Sequence, residues 1–262
     1  MAKRLTILSK NYSDGFKPLG ACVHSAETPL RAGYAESLAT NWFARLAPTS
    51  AHIIVDPAAI VKMVNYDKVA WHCGAGNSVL FGDEQAGYAR FSEEEWLTEA
   101  GVLQMDNLAL VIREQLESIN SPLKVSSEAE ARRGRELGKP FGIITHNTAR
   151  LAFGGTTHTD PGKGYPVELL LDKVKNVTSP ATGTPAFPPA KEYDDMAKII
   201  RNNGNGNCYI VKEFGYKLIQ DVKELERLMA VYGPFTDLRP EVALAVMKDA
   251  QDGGKQLAAL IK

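Results

Sequence analysis

Along the first two thirds of the chain, short runs rich in β-branched residues alternate with stretches whose apolar positions recur every three to four residues. RLTIL (4–8), GACVHS (20–25), HIIVD (52–56) and AIVKMVN (59–65) read as strands, with a turn at Asp56-Pro57 between the last two. From about Tyr34 to Arg45 the spacing predicts a helix with Leu38, Trp42, Phe43 and Leu46 on one side. Ser92, followed by Glu93, Glu94 and Glu95, reads as the N-cap and acidic first turn of a helix running through Trp96. A longer helix is expected over about 103–118, with Leu108, Val111, Ile112 and Leu116 as its apolar face. PFGIITH (140–146) reads as a buried strand that delivers His146 at its C-terminal end. Strands and helices in this alternation predict an α/β domain with a central mixed sheet flanked by helices.

After Val177 the pattern changes to TSPATGTPAFPPA (178–190), where proline and small residues deny the chain both helical hydrogen bonds and a core. The expected organisation is a domain over 1–177, a linker over 178–190 and a small C-terminal α+β domain over 191–262. That last part shows an amphipathic opening helix, a strand pair in CYIVKEFGYKLI (208–219) and helices near 221–231 and 240–250. No internal repeat is present.

Composition narrows the function classes. A chain of 262 residues with 44% hydrophobic residues has enough apolar material for a substantial core. A formal net charge of −1 provides no overall basic field for nucleic acid or anionic membranes. No apolar run approaches the roughly 20 residues that span a bilayer, so membrane insertion is not expected. MAKRLTILSKNYSDG has too short an apolar stretch for a signal peptide, which places synthesis in a cytoplasm. Three scattered cysteines, Cys22, Cys73 and Cys208, form neither a disulfide framework nor a cysteine zinc cluster and read as buried free thiols.

The chemistry gathers around five histidines, two of them in THNTARLAFGGTTHTDPGKGYP (145–166). Catalytic zinc takes three protein ligands from imidazole, carboxylate or thiolate and leaves a position open. His24 and His146, both at strand ends, suit that role, although a strand-end histidine by itself is more often a hydrogen-bonded structural residue. His158 and Asp160 lie two apart, so on an extended segment both project to one side, and either can bind a metal. The Asp160-Pro161-Gly162 turn fixes the direction of the carboxylate.

VHSAE (23–27), SAHIIVD (50–56), VAWHCG (69–74), DEQAGYA (83–89), THNTAR (145–150) and THTDPGKGYP (157–166) together resemble the zinc-dependent N-acetylmuramoyl-L-alanine amidases. These share their fold with peptidoglycan recognition proteins, and the likeness is closest to endolysins of bacteriophages infecting actinobacteria. It covers about residues 5–172 in matching order and spacing. The resemblance implies hydrolysis of the amide between N-acetylmuramic acid and L-alanine of peptidoglycan, with Zn2+ held by His24, His146 and Asp160. His158 falls where members place a lysine, histidine or threonine that steadies the oxyanion, and Glu84 where they place a general base. NSVLFGDE (77–84) is about two residues longer than the usual approach to that glutamate, which leaves Asp83 and Glu27 as substitutes.

Trp71, His72 and Glu27 are expected to contact the muropeptide, with a structural role an equal alternative for His72. His52 is expected beneath the site as a hydrogen-bonding residue, and Tyr88 and Arg90 in a solvated loop. An endolysin of this kind works on the wall from the cytoplasm of an infected host, through a separate holin-type pore, and its C-terminal domain is a candidate cell-wall binder. Two other readings are a zinc peptidase cutting the stem peptide, since HTD resembles the ligand pairs of such enzymes, and a peptidoglycan-binding protein without catalysis. The oligomeric state is not encoded in any motif.

Overall fold

The computed structural model describes residues 2–43, 48–177 and 187, and the strands of a C-terminal segment. The chain divides into two compact units, Met1–Lys191 and Glu192–Lys262. Among the described residues no helix is long and apolar enough to cross a membrane.

The first unit is built on β1 (Lys3–Thr6), β2 (Tyr12–Ser13), β3 (Gly20–Val23), α1 (Tyr34–Leu38), β4 (Ile53–Val55), β5 (Ala59–Lys62), β6 (Val69–Ala70) and β7 (Leu80–Gln85). These are followed by α2 (Glu93–Trp96), α3 (Glu99–Ser118), α4 (Glu128–Leu137), β8 (Gly142–Thr145), α5 (His146–Phe153) and α6 (Val167–Asn176). Six strands form one sheet in the order β1-β5-β4-β7-β3-β8, while β2 and β6 pair separately. The sheet is mixed, as expected: β4 and β5 run antiparallel, and β4, β7, β3 and β8 are mutually parallel. Both faces of these central strands are covered, which is why their sequences read as near-continuous apolar runs.

Alternation along each strand sorts side chains between two cores. Ala21, Val23, Phe81 and Ile143 face α3 and α6, where they pack with Leu108, Val111, Ile112, Leu116, Leu170 and Val174. Cys22, Leu80 and Ile144 face the other way, against Cys73, Ala149 and Ala152. Cys22 and Cys73 are buried free thiols.

The five strands read from the sequence form β1, β3, β4, β5 and β8, whereas the short β2 and β6 and the central β7 were not read there. Ser92 caps α2 through a capping box with Glu95, but that helix is a single turn. The long helix begins at Glu99, earlier than its apolar spacing suggests, because Thr98 supplies the cap. The expected helix over 34–45 differs more. Its α-helical part ends at Leu38, and Ala39–Phe43 form a π-helical turn. The wider turn moves the later residues around the axis, so Phe43 is buried while Trp42, expected on the same apolar side, is 53% exposed.

In the second unit, β9 (Lys198–Asn202), β10 (Cys208–Lys212), β11 (Gly215–Leu218) and β12 (Thr236–Leu238) form a sheet in the order β11-β10-β9-β12. β10 and β11 are the antiparallel pair expected from CYIVKEFGYKLI. The linker, apart from Phe187, and the expected C-terminal helices lie outside the described residues.

Candidate active site

In parallel sheets, ligands collect beyond the carboxyl ends of the strands, and the histidines singled out in the sequence lie there. Val23 of β3 and Thr145 of β8 are register partners, so His24 and His146, the next residues, leave two adjacent strands at the same level. His146 does not simply end its strand as expected. It opens α5, whose N-cap Thr145 accepts a hydrogen bond from the Thr148 N–H.

Asp160 arrives from the turn after α5. Its Oδ2 accepts from the Ser25 N–H at 3.2 Å, and its carbonyl from the Asn147 N–H at 3.3 Å. The Asp160-Pro161 peptide is cis. Gly162 follows with φ +90°, and a Cβ there would lie 1.8 Å from the Ala89 carbonyl, so the turn demands glycine on both counts.

Three donor atoms converge as a result. His24 Nδ1 and His146 Nδ1 are 2.9 Å apart, His146 Nδ1 is 2.9 Å from Asp160 Oδ1, and His24 Nδ1 is 3.3 Å from Asp160 Oδ2. Zinc–ligand bonds of about 2.0–2.1 Å at tetrahedral angles separate their donors by about 3.3 Å, so the set fits one small cation. All three residues are buried. Burial opposes the ionised form of Asp160, but the His146 and His24 imidazoles beside it outweigh burial and hold the carboxyl well below the usual range. Burial lowers the pKa of His24 despite the pull of Asp160.

The imidazole tautomers follow from one carbonyl. His72 Nε2 lies 3.1 Å from the Leu80 carbonyl oxygen, which only accepts, so Nε2 carries the proton. Burial lowers the pKa of His72 and keeps the ring neutral, leaving Nδ1 as an acceptor. That nitrogen is 2.9 Å from His24 Nε2, which must donate, and the lone pair of His24 Nδ1 is then directed toward His146 and Asp160. Gly82 gives the ring room, since a Cβ there would come within 2.4 Å of it. Cys22, His24 and His72 also lie close enough to share an ion, but both nitrogens of His72 are already engaged.

The donors open onto a cleft of about 800 Å3 whose walls include Glu27, Trp42, Trp71, Glu84 and His158. Strand alternation separates the candidate bases. Asp83 faces α3, where its Oδ1 accepts from Gln115 Nε2 at 2.7 Å, so it does not reach the cleft. Glu84 faces the cleft, nearly buried, and its Oε2 has no partner among the described residues. Burial, then the charges of Asp160, Asp83 and Glu27, raises its pKa well above the ordinary value. Glu27 lines the cleft too, but its Oε1 accepts from the Ala89 N–H at 2.8 Å and from Ser25 Oγ at 3.1 Å. NSVLFGDE begins in a 3-10 turn, Gly74–Val79, and continues as β7.

The His158 side chain is 71% exposed, stacks on His146 with ring centroids 5.2 Å apart, and puts Nδ1 3.7 Å from Asp160 Oδ1. Trp71, 37% exposed, donates Nε1 to Ser13 Oγ at 3.3 Å. Trp42 adds a second exposed indole to the cleft, one that sequence spacing had assigned to the core. His52 lies in the core, where Nε2 donates to the Lys68 carbonyl at 2.9 Å and Nδ1 accepts from the Gly82 N–H at 3.0 Å.

A family model described as N-acetylmuramoyl-L-alanine amidase matches residues 14–163. Among solved structures, the hydrolase AmiA of Staphylococcus aureus, in complex with its ligand, is 18% identical with a TM-score of 0.49, covering 66% of this chain and 82% of that one. An N-acetylmuramoyl-L-alanine amidase from Clostridium intestinale is 16% identical with a TM-score of 0.44, covering 67% of this chain and 99% of that one. A mutant endolysin from Bacillus subtilis gives 16%, 0.44, 66% and 99%. No curated protein sequence matches significantly.

Proposed function

The chain belongs to the N-acetylmuramoyl-L-alanine amidase family, whose model spans more than half of it, and from that premise we propose that it hydrolyses the amide joining N-acetylmuramic acid to L-alanine in peptidoglycan, with zinc held by His24, His146 and Asp160. The observation that carries this reading is the convergence of donors from three buried residues, each pair of residues 2.9–3.3 Å apart, at the floor of a cleft that Glu84 also lines. Two neutral imidazoles and one carboxylate leave a bound dication with net positive charge. Zinc in such a setting supplies a Lewis acid that acidifies water toward a pKa of about 7 and polarises a carbonyl.

Every other task falls to the protein. Glu84, desolvated and free at Oε2, takes a proton from the attacking water and returns it to the departing alanine nitrogen. His158, at the mouth of the site, donates to the oxygen that gains charge as the carbonyl is attacked. His72 and Thr156 hold the outer nitrogens of the two histidines, Thr156 through a 3.1 Å contact between its Oγ1 and His146 Nε2. Trp42 and Trp71 offer flat apolar faces for the glycan or the peptide.

Mass spectrometry of digested muropeptides tests the assignment. An intact stem peptide released from muramic acid is the expected product, and a shortened peptide would instead assign a peptidase. The same reading makes the protein an endolysin of a phage of actinobacteria that reaches the wall through a separate pore. A reporter fusion made in cells lacking such a pore is expected to stay inside, and its export would contradict that route.

A further inference from the structure

A second cavity, of about 570 Å3, adjoins the cleft, and Ala89 and Thr159 line both. Its wall carries three cationic side chains, Arg90, Arg150 and Lys163, and no carboxylate. None of the three forms an ion pair among the described residues. They come from three separate places: the loop after β7, the second turn of α5 and the glycine-rich turn after Asp160.

The two arginines are braced without using an acid. Arg150 donates Nε and Nη2 to Asn147 Oδ1 at 3.1 and 2.9 Å. The guanidinium of Arg90 lies over the Tyr88 ring, its Cζ 3.8 Å from the centroid. Ring stacking orients a guanidinium while leaving its in-plane N–H groups free to donate. Three like charges around one hollow repel each other, and in a chain of net charge −1 this is a local concentration rather than a share of a general basic surface. An anion in the hollow removes the repulsion and meets donors suited to a forked oxyanion.

We propose that this cavity is an oxyanion subsite, which holds an anionic group of the substrate beside the scissile bond. The proposal rests on the amidase reading for the identity of that substrate. Two parts of a muropeptide bring such chemistry near the amide: a carboxylate of the stem peptide and a phosphoryl ester on the muramic acid. Arg150, one turn beyond His146 in α5, ties the subsite to an element that also carries a metal donor.

The test uses the zinc-loaded full chain and three soluble substrates. These are N-acetylmuramoyl-L-alanyl-D-isoglutamate, its neutral counterpart with both glutamyl carboxyls amidated, and that diamide bearing a 6-phosphate on the sugar. At least one anionic substrate is expected to have a KM about 10- to 100-fold below that of the neutral one, at similar kcat. Preference for the isoglutamate form assigns the peptide carboxylate, and preference for the phosphorylated form assigns the glycan. Arg150→Gln, Arg90→Gln and Lys163→Gln should each erase much of that advantage and leave the neutral substrate unaffected. Equal KM values for all three substrates, or variants that slow all three alike, would overturn the subsite while leaving the amidase intact. Calorimetric titration with free L-alanyl-D-isoglutamate and with inorganic phosphate reads the subsite independently of turnover. Binding weakened in the Arg90 and Arg150 variants supports it even if no amide is cleaved, whereas no binding to wild type, or binding indifferent to these changes, removes it.

Discussion

At the residue scale, metal ligands and oxyanion donors should separate cleanly by what each substitution removes. His146→Ala deletes one of three buried donors and is expected to lose the metal, because the remaining two cannot complete the set. His158→Ala is expected to retain metal but turn over about 10²- to 10³-fold more slowly, as for loss of one oxyanion donor. Metal content and kcat measured on both purified variants check this, and equal metal loss in the two would make His158 a ligand. His72 would act on a bound metal only through His24. His72→Phe keeps the ring but not the acceptor and should weaken metal affinity about 10- to 100-fold, while His72→Asn, which can place an oxygen near the Nδ1 position, should recover much of it. Competition with a chromophoric chelator reads both affinities, and wild-type values for His72→Phe would refute the tautomer argument. Strand ends and an Asp-Pro-Gly turn are local signals that singled out His24, His146, His158 and Asp160 in the sequence, whereas the division of roles among them came from the family resemblance. The role of His72 was not legible, since it depends on a carbonyl eight residues away meeting the ring across a loop.

At the scale of elements, β7 shows where reading residues in order stops being enough. Asp83 and Glu84 are both acids in one strand, and only the sheet register tells which faces the cleft. Behind the sheet, burial raises the pKa of Asp83 from 3.8 to about 7. Between those values the folded protein holds a proton that the unfolded chain has released. Stability from this group is therefore fully present below about pH 4, falls as pH rises toward 7 and is level above it. The full fall is about 4 kcal/mol at about 1.4 kcal/mol per pKa unit. Asp83→Asn keeps an acceptor for Gln115 and should be more stable than the parent at pH 8 but not at pH 4, as denaturant midpoints at the two values will show. Helices were harder to place than strands. No helix was read after His146, yet HNTAR forms most of α5 because Thr145 caps it and Ala149 and Ala152 pack against Ile144 and Cys73. Trp42 was misassigned because a period of 3.6 residues fails once a turn widens to the π form.

At the scale of the whole molecule, the core and the site occupy different parts of the first unit. The larger apolar cluster is made by β3, β4, β7, β8, α3 and α6 and contains none of His24, His146 or Asp160. Removing the metal with a chelator is therefore expected to abolish turnover while leaving a folded, cooperatively melting protein. Its stability should drop only by the linkage contribution, about 4 kcal/mol for an ion present at 1,000 times its Kd. Circular dichroism and a thermal melt before and after chelation measure this, and restoration of activity by added zinc completes the test. The level pairing of Val23 with Thr145 has one more consequence. Since the spacing of the two histidines is fixed by the main-chain ladder, the segment that carries Trp42 can be recut to suit another ligand without moving either imidazole, whereas the loops of Trp71 and Arg90 cannot, because His72 braces His24 and Ala89 seats the turn of Asp160.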